Sequence, residues 1–282
     1  MTGTKCTISD STFLNNAVTR WGGGVCWYGI NGTLTGCTFT GNIGPGNTGG
    51  LHWGGANGIL TTSTFTGNTG GYNGGGVFWS GINGSLSTCT FIDNKANDRG
   101  GAVFWNAANG SLTNSNFTNN RINNNGGAVY WNGTKGTLTD CNFVKNNANW
   151  GGAVFWNNGD GILTSSTFTS NIASDRGGGI YWSGATGSIT NSNFINNTAN
   201  NNGGAIYYWN TGTIVNCSFI NSKSNNQKSN GIYALNNLNI NGGKGLVDIN
   251  NQGTLSGTSI VVLNNETYYY PPSTNINLPN KN

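Results

Sequence analysis

Charge is what this 282-residue chain has least of. Asp, Glu, Lys and Arg make up 7% of it, against about a quarter in ordinary soluble domains. Twelve Lys and Arg against eight acids leave a net charge of +4. No basic run concentrates that excess, so nucleic acid is not an expected partner. There is one histidine. A lone His52 with no Ser or Cys partner at a defined site is not a triad. No Cys-x-x-Cys or His-x-x-x-His spacing offers a metal site, and no cofactor is expected. No apolar stretch reaches about 18 residues, which excludes a membrane-spanning helix in this segment. No stretch keeps a 3.6-residue apolar period either, which excludes the helical repeats.

Glycine, by contrast, is abundant at 48 residues, and aromatics reach 11%. Both are organised by one unit, seen most cleanly from Gly100 to Asn125: GGAVFWNAANGSLTNSNFTNNRINNN. A Gly-Gly pair precedes a short apolar run ending in Trp105. A Gly-Ser-Leu follows, and Phe117-x-x-Asn120 closes the unit. Trp27, Trp53, Trp79, Trp105 and Trp131 are each 26 residues apart, and Trp156, Trp182 and Trp209 continue at 25, 26 and 27. Nine phenylalanines, from Phe13 to Phe219, keep step. Leu34 to Leu163 form a third ladder, continued by Ile189 and Ile214.

A period of this length means a solenoid or array. The apolar runs are short and β-rich, separated by Gly, Asn, Ser and Thr. Twenty-six residues are too few for a propeller blade of about 40. The unit fits one coil of an all-β, right-handed parallel β-helix, each coil stacked about 4.8 Å above the last. We expect coils over 1–230, irregular terminal coils or a cap over 231–263, and an extended Pro-containing tail or linker over 264–282. Met1 runs directly into a partial coil with Phe13 in register, so a segment of a longer chain is expected. Alternation places Leu112 and Phe117 inward, with a bend near Asn114 resetting the parity. Trp105 shares parity with Val103, which points the tryptophans inward. The alternative, an outward tryptophan strip, stays open. Either way Phe104, Tyr130, Phe155, Tyr181 and Tyr207 are expected to form an outward, exposed aromatic stripe. Cys37, Cys89, Cys141 and Cys217 share a slot that other coils fill with Ser. Two coils separate Cys37 from Cys89, about 9.6 Å, beyond disulfide reach. They are expected to be free, buried thiols.

The pairing of Gly-Gly-Ala-Val/Ile with Phe-x-x-Asn resembles the repeats of polymorphic outer-membrane proteins. It resembles still more the β-helical adhesin-like surface proteins of methanogenic archaea, over residues 1–222. The resemblance implies an extracellular, cell-surface location, and a tail leading into further repeats.

Function is then a choice among three classes. β-helical lyases and hydrolases cluster acids on neighbouring coils, to hold Ca²⁺ or to supply acid and base. Here the acids are scattered on the repeat grid, and Asp98 and Asp175 fall three coils apart. The expectation is therefore a non-catalytic adhesin-like or structural surface protein. The alternatives are a carbohydrate-binding module and a polysaccharide lyase or hydrolase. Expected partners are a cell-surface or extracellular polysaccharide or protein, self-association included. The stripe is one candidate binding surface, because long exposed aromatic patches mark contact sites. The other is the variable loop before each Gly-Gly pair, carrying Trp21, Trp150, Arg99 and Arg176. Asn31, Asn83, Asn109 and Asn132 head Asn-x-Ser/Thr acceptors. They are expected at one turn, as a glycosylated edge.

Overall fold

A computed structural model describes residues 1–225 and 231–245, together with 249–251, 255–256, 260–263 and 266–269. The chain winds into a parallel β-helix. One coil shows why. Its strands are Val103–Trp105, Ser111–Thr113, Asn116–Thr118 and Arg121–Ile122. A left-handed residue stands shortly before each: Gly100 (φ 63), Asn109 (φ 56), Asn114 (φ 48) and Asn119 (φ 55). Gly, Asn and Asp reach that region most easily. The Asn- and Gly-rich segments are thus the corners of the coil, and the expected bend at Asn114 is one of them.

Neighbouring coils pair in register. Val103, Phe104 and Trp105 lie opposite Val77, Phe78 and Trp79 on one side and Val129, Tyr130 and Trp131 on the other. Among the described residues the tryptophan strands make a 10-stranded sheet, the Leu and Phe strands together a 19-stranded sheet, and the short strands an 8-stranded sheet. Parallel stacking continues through Ile232–Ala234 and Leu238–Gly245, and Ile260–Leu263 pairs antiparallel with Glu266–Tyr269. The expected tail lies for the most part outside the described residues.

The core holds three ladders. Trp105, Leu112 and Phe117 are all fully buried. The tryptophans point inward, as strand parity requires, and not into an outer strip. Trp53 and Trp79 stack at 4.8 Å and 1°, as do Phe91 and Phe117. The ladder ends differently from expectation. Tyr208, not Trp209, stacks on Trp182 at 5.7 Å, and Trp209 is 41% exposed. Tyr208 pairs with Trp182 two residues after the inward Ile206, so parity assigns the slot and residue type does not.

Two glycine positions are dictated by contact. A Cβ on Gly101 would sit 2.1 Å from the Gly127 carbonyl oxygen of the next coil, and one on Gly110 would sit 2.2 Å from the Trp105 indole nitrogen. Gly100 serves the other need, the positive φ.

The Asn three residues after the ladder Phe forms a buried hydrogen-bonded column from Asn42 to Asn197. Asn120 Oδ1 accepts from the Asn94 backbone N–H and from Asn94 Nδ2, both at 3.0 Å. Asn120 Nδ2 donates to the Phe91 carbonyl (3.0 Å) and to Asn146 Oδ1 (3.1 Å). One carboxamide therefore ties three coils. Only a side chain that both donates and accepts can repeat at its own position this way. Cys37, Cys89, Cys141 and Cys217 are free and buried. They occupy the slot whose Ser115 Oγ accepts from the Cys89 backbone N–H.

Asn120→Ala is expected to cost about 3 kcal/mol in urea melts, because it strands buried donors and acceptors in adjacent coils. Asn120→Asp, though isosteric, should do no better, since its carboxylate would face two acceptors. Burial pushes the Cys89 and Cys141 thiols up to about 12 and that of Cys217 to about 11. In a thiol-labelling time course Cys6 and Cys26, which are only partly buried, should react first. The other four should label only as the chain unfolds.

Candidate functional site

The outward residue of each tryptophan strand runs Cys26, His52, Phe78, Phe104, Tyr130, Phe155, Tyr181, Tyr207. These side chains leave the core, as expected, but they are not exposed. Phe104 is 3% exposed and Tyr130 7%, and with Phe155, Tyr181 and Tyr207 they form a second apolar cluster. Two causes correct the expectation of an open stripe. Tyr130, Phe155, Tyr181 and Tyr207 stack face to face at 4.8 Å, so each ring seals its neighbour's face. The loops before the Gly-Gly pairs then fold over the stack. Arg99 lies 5.8 Å from the Phe104 and Tyr130 rings, Trp150 stacks 5.3 Å from Tyr181, and Arg176 lies 5.3 Å from Tyr207.

The two sets of candidate residues therefore meet on one face. The stripe is the floor and the loops are one wall. Asp98 holds Arg99 at 3.4 Å, and Asp98 Oδ1 accepts from Asn124 at 2.9 Å. Asp175 lies 3.6 Å from Arg176 and accepts from Trp150 Nε1 at 2.7 Å. The Trp150 loop is also where the repeat shortens by one residue, with a register shift between Ala148 and Trp150. The opposite wall follows the tryptophans: Tyr28, Ser80, Asn106, Asn132 and Asn157, the last three hydrogen-bonded in a ladder at 2.7 Å.

The floor changes character at one end. His52 replaces Phe or Tyr there, with Trp21 5.0 Å and Tyr28 5.3 Å from its ring. These residues open into a groove of about 500 Å³, lined also by Asn47, Asn73, Phe78, Ser80, Arg99, Phe104 and Asn106. Trp21 is 48% exposed and Tyr28 47%. His52 is buried, and burial lowers its pKa to about 4. Its Nδ1 has no hydrogen-bond partner, and neither has Asn73 Oδ1. The sequence marked Trp21 and Arg99 but not Tyr28 or His52 as site residues. The signal was there: both break their columns, Tyr28 among Gly54, Ser80 and Asn106, His52 among Phe and Tyr.

The acids stay apart. Asp93 accepts from Asn119, and Asp160 from Thr186. Among the described residues no three of His, Cys, Asp and Glu come together. Nor, among them, is any helix long and apolar enough to cross a membrane. The expected glycosylated turn is two different corners. Asn31, Asn83 and Asn109 share one corner with Asn57, where Asn83 Nδ2 and Asn109 Nδ2 donate to the Asn below. Asn132 follows Trp131 directly and stands on the groove wall instead, because its coil places Lys135 at the left-handed corner.

Residues 1–149, more than half the chain, match the family described as right handed beta helix region. The chain belongs to that family. Residues 165–181 and 191–208 match the Chlamydia polymorphic membrane protein repeat, in line with the Gly-Gly and Phe-x-x-Asn marks. Comparison with curated proteins and with solved structures gives no match.

The depressed pKa of His52 has a sign. The unfolded chain takes up its proton near pH 6.5 and the folded chain only near 4. The His52 contribution to stability is thus complete above pH 6.5 and falls as the pH drops toward 4, by about 3 kcal/mol at most. Melts of the wild type and His52→Phe between pH 7 and 4 should diverge by that amount, with the variant the flatter.

Proposed function

We propose that this chain is a module of an extracellular, adhesin-like or structural surface protein, a rigid rod that holds its ligand without chemically altering it. One observation carries the reading. On an otherwise monotonous solenoid, the out-of-pattern aromatics Trp21, Tyr28 and Trp150 and the Arg99–Asp98 and Arg176–Asp175 ion pairs gather on one face, above a sealed aromatic floor. A rigid scaffold with variable loops on one side is a common way to build a binding surface. The polymorphic membrane protein repeat supports a cell-surface location, and the resemblance to archaeal adhesin-like proteins points the same way. The partner is an extracellular polysaccharide or protein, with self-association as one form of the latter.

A β-helical lyase or hydrolase is the competing reading, and the acids argue against it. Asp93, Asp98, Asp160 and Asp175 are each held by a neutral donor one coil away. Each of the four thus accepts from a neutral group and not from a second, protonated acid, as a proton-sharing catalytic couple would. A carbohydrate-binding module differs from an adhesin only in what carries it, and the groove serves either.

The test is retention on immobilised polysaccharides and cell-wall material, with product assays on the same polymers with and without Ca²⁺. The chain should be retained and release no product. Retention should survive about 0.5 M salt, since the groove's cations are already paired. Replacing Trp21, Arg99, Trp150 and Arg176 together by Ala should abolish retention; the β-helix should stay folded, with a lower melting temperature because Trp150, Arg99 and Arg176 also cover the second apolar cluster. Turnover that Asp98→Asn or Asp175→Asn removes would establish an enzyme instead.

A further inference from the structure

Resting on the surface-binding reading, we infer that the groove around His52 is a subsite for one uncharged hexopyranose unit of a glycan, taken between the exposed rings of Trp21 and Tyr28.

Four observations lead there. The first is where ring faces are free. Along most of the floor each ring is sandwiched by its neighbours, leaving no face for a sugar. At the His52 end the sandwich breaks. His52 is tilted 48° to Phe78, and Trp21 meets it edge-on at 69°. Trp21 and Tyr28 stand at the two ends of the strand Val25–Trp27, on opposite walls, each about half exposed. An exposed aromatic face is the natural partner of the apolar C–H face of a pyranose.

The second is unpaired polarity. His52 is 3% exposed and its Nδ1 has no partner. Asn73 Nδ2 is committed to Asn47 Oδ1 at 2.9 Å, while Asn73 Oδ1 has none. Buried polar groups are ordinarily satisfied. Two orphans lining one groove are unspent valence for the hydroxyls of a ligand. Ser80 and Asn106 add further polar groups on the opposite wall.

The third is charge. The only cation lining the groove is Arg99, and Asp98 answers it. An anionic sugar such as a uronate would find no unpaired cation among the lining residues, and a neutral one needs none. The fourth is size. A volume of about 500 Å³ falls within the roughly 300–1,000 Å³ of ordinary ligand sites.

Trp21 covers His52, so the sugar enters as the indole moves from the imidazole edge onto the pyranose face. Binding should therefore alter the fluorescence of Trp21.

The experiment titrates the whole chain with tetrasaccharides of glucose, mannose, galactose and N-acetylglucosamine, and with tetragalacturonate, by calorimetry and tryptophan fluorescence. At least one neutral tetrasaccharide should bind, and tetragalacturonate should not. Trp21→Ala and Tyr28→Ala should each weaken that binding about tenfold. The fluorescence change should vanish in Trp21→Ala. His52→Phe copies the residue of the next coil, so it should fold at least as well as the wild type, yet bind about tenfold more weakly. Ile162→Ala, equally exposed but on the sheet of Leu and Phe strands, should bind the tetrasaccharide as the wild type does.

Wild-type affinity in both His52→Phe and Trp21→Ala would overturn the inference, as would binding of tetragalacturonate alone. Should the chain be retained on surface polymers and lose that retention in the four-residue loop variant, while no tetrasaccharide binds, the subsite fails and the surface-binding reading stands. Absence of both retention and tetrasaccharide binding would remove the two together.

Discussion

In the paired coil strands of this protein each position lies about 4.8 Å from its own copy in the next coil, and the backbone ladder that fixes this spacing governs the rest. A residue type survives only if it tolerates itself as a neighbour. Flat rings do, as the Trp and Phe stacks show. Carboxamides do, because they donate upward and accept from below. Charges do not. Two like charges at that spacing repel by about 1 kcal/mol in water and several times that near a protein surface. The low charge content follows directly. Four of the eight acids escape the conflict by standing against a neutral donor one coil away, as Asp98 does with Asn124 and Asp175 with Asn201. Lys95 over Arg121 is an exposed exception.

The ladder also overrides local preferences. In the early coils the indole N–H of Trp27, Trp53 and Trp79 donates to the carbonyl two residues on, at 2.9–3.0 Å. The same N–H in Trp105, Trp131, Trp156 and Trp182 is buried without a partner. A buried unpaired donor costs roughly 1–3 kcal/mol. The indoles nonetheless hold their stack, at interplanar angles of 2–7° from Trp105 to Trp182. Stacking and burial of the rings outweigh the lost hydrogen bonds.

Function arises where the repetition is relaxed. The aromatic floor outside the core is itself a stacked ladder, so it closes on itself and becomes a second core beneath the loops. What remains open is the His52 end, where one column changes residue type and two exposed aromatics stand off the pattern. The loop wall carries the change of coil length at Trp150 for the same reason. It lies outside the three inward ladders, so a lost residue there disturbs no stack.

The sequence alone determined the coil. Three ladders at one period, with Asn and Gly between short apolar runs, leave no other way to bury Trp105, Leu112 and Phe117 together. The free cysteines also follow from it, because coil spacing is a one-dimensional property of a solenoid; parity favoured inward tryptophans, and their burial in the structure settled it. Three things were decided only in three dimensions. Tyr208 rather than Trp209 ends the tryptophan ladder, since strand pairing assigns the slot. Phe104 and Tyr130 are buried although they face outward, because Arg99 comes from a loop whose path no periodicity specifies. And the stripe and the loops form one face only because Trp21, Tyr28 and His52, on neighbouring coils and at different places in the unit, are brought into contact by the winding itself.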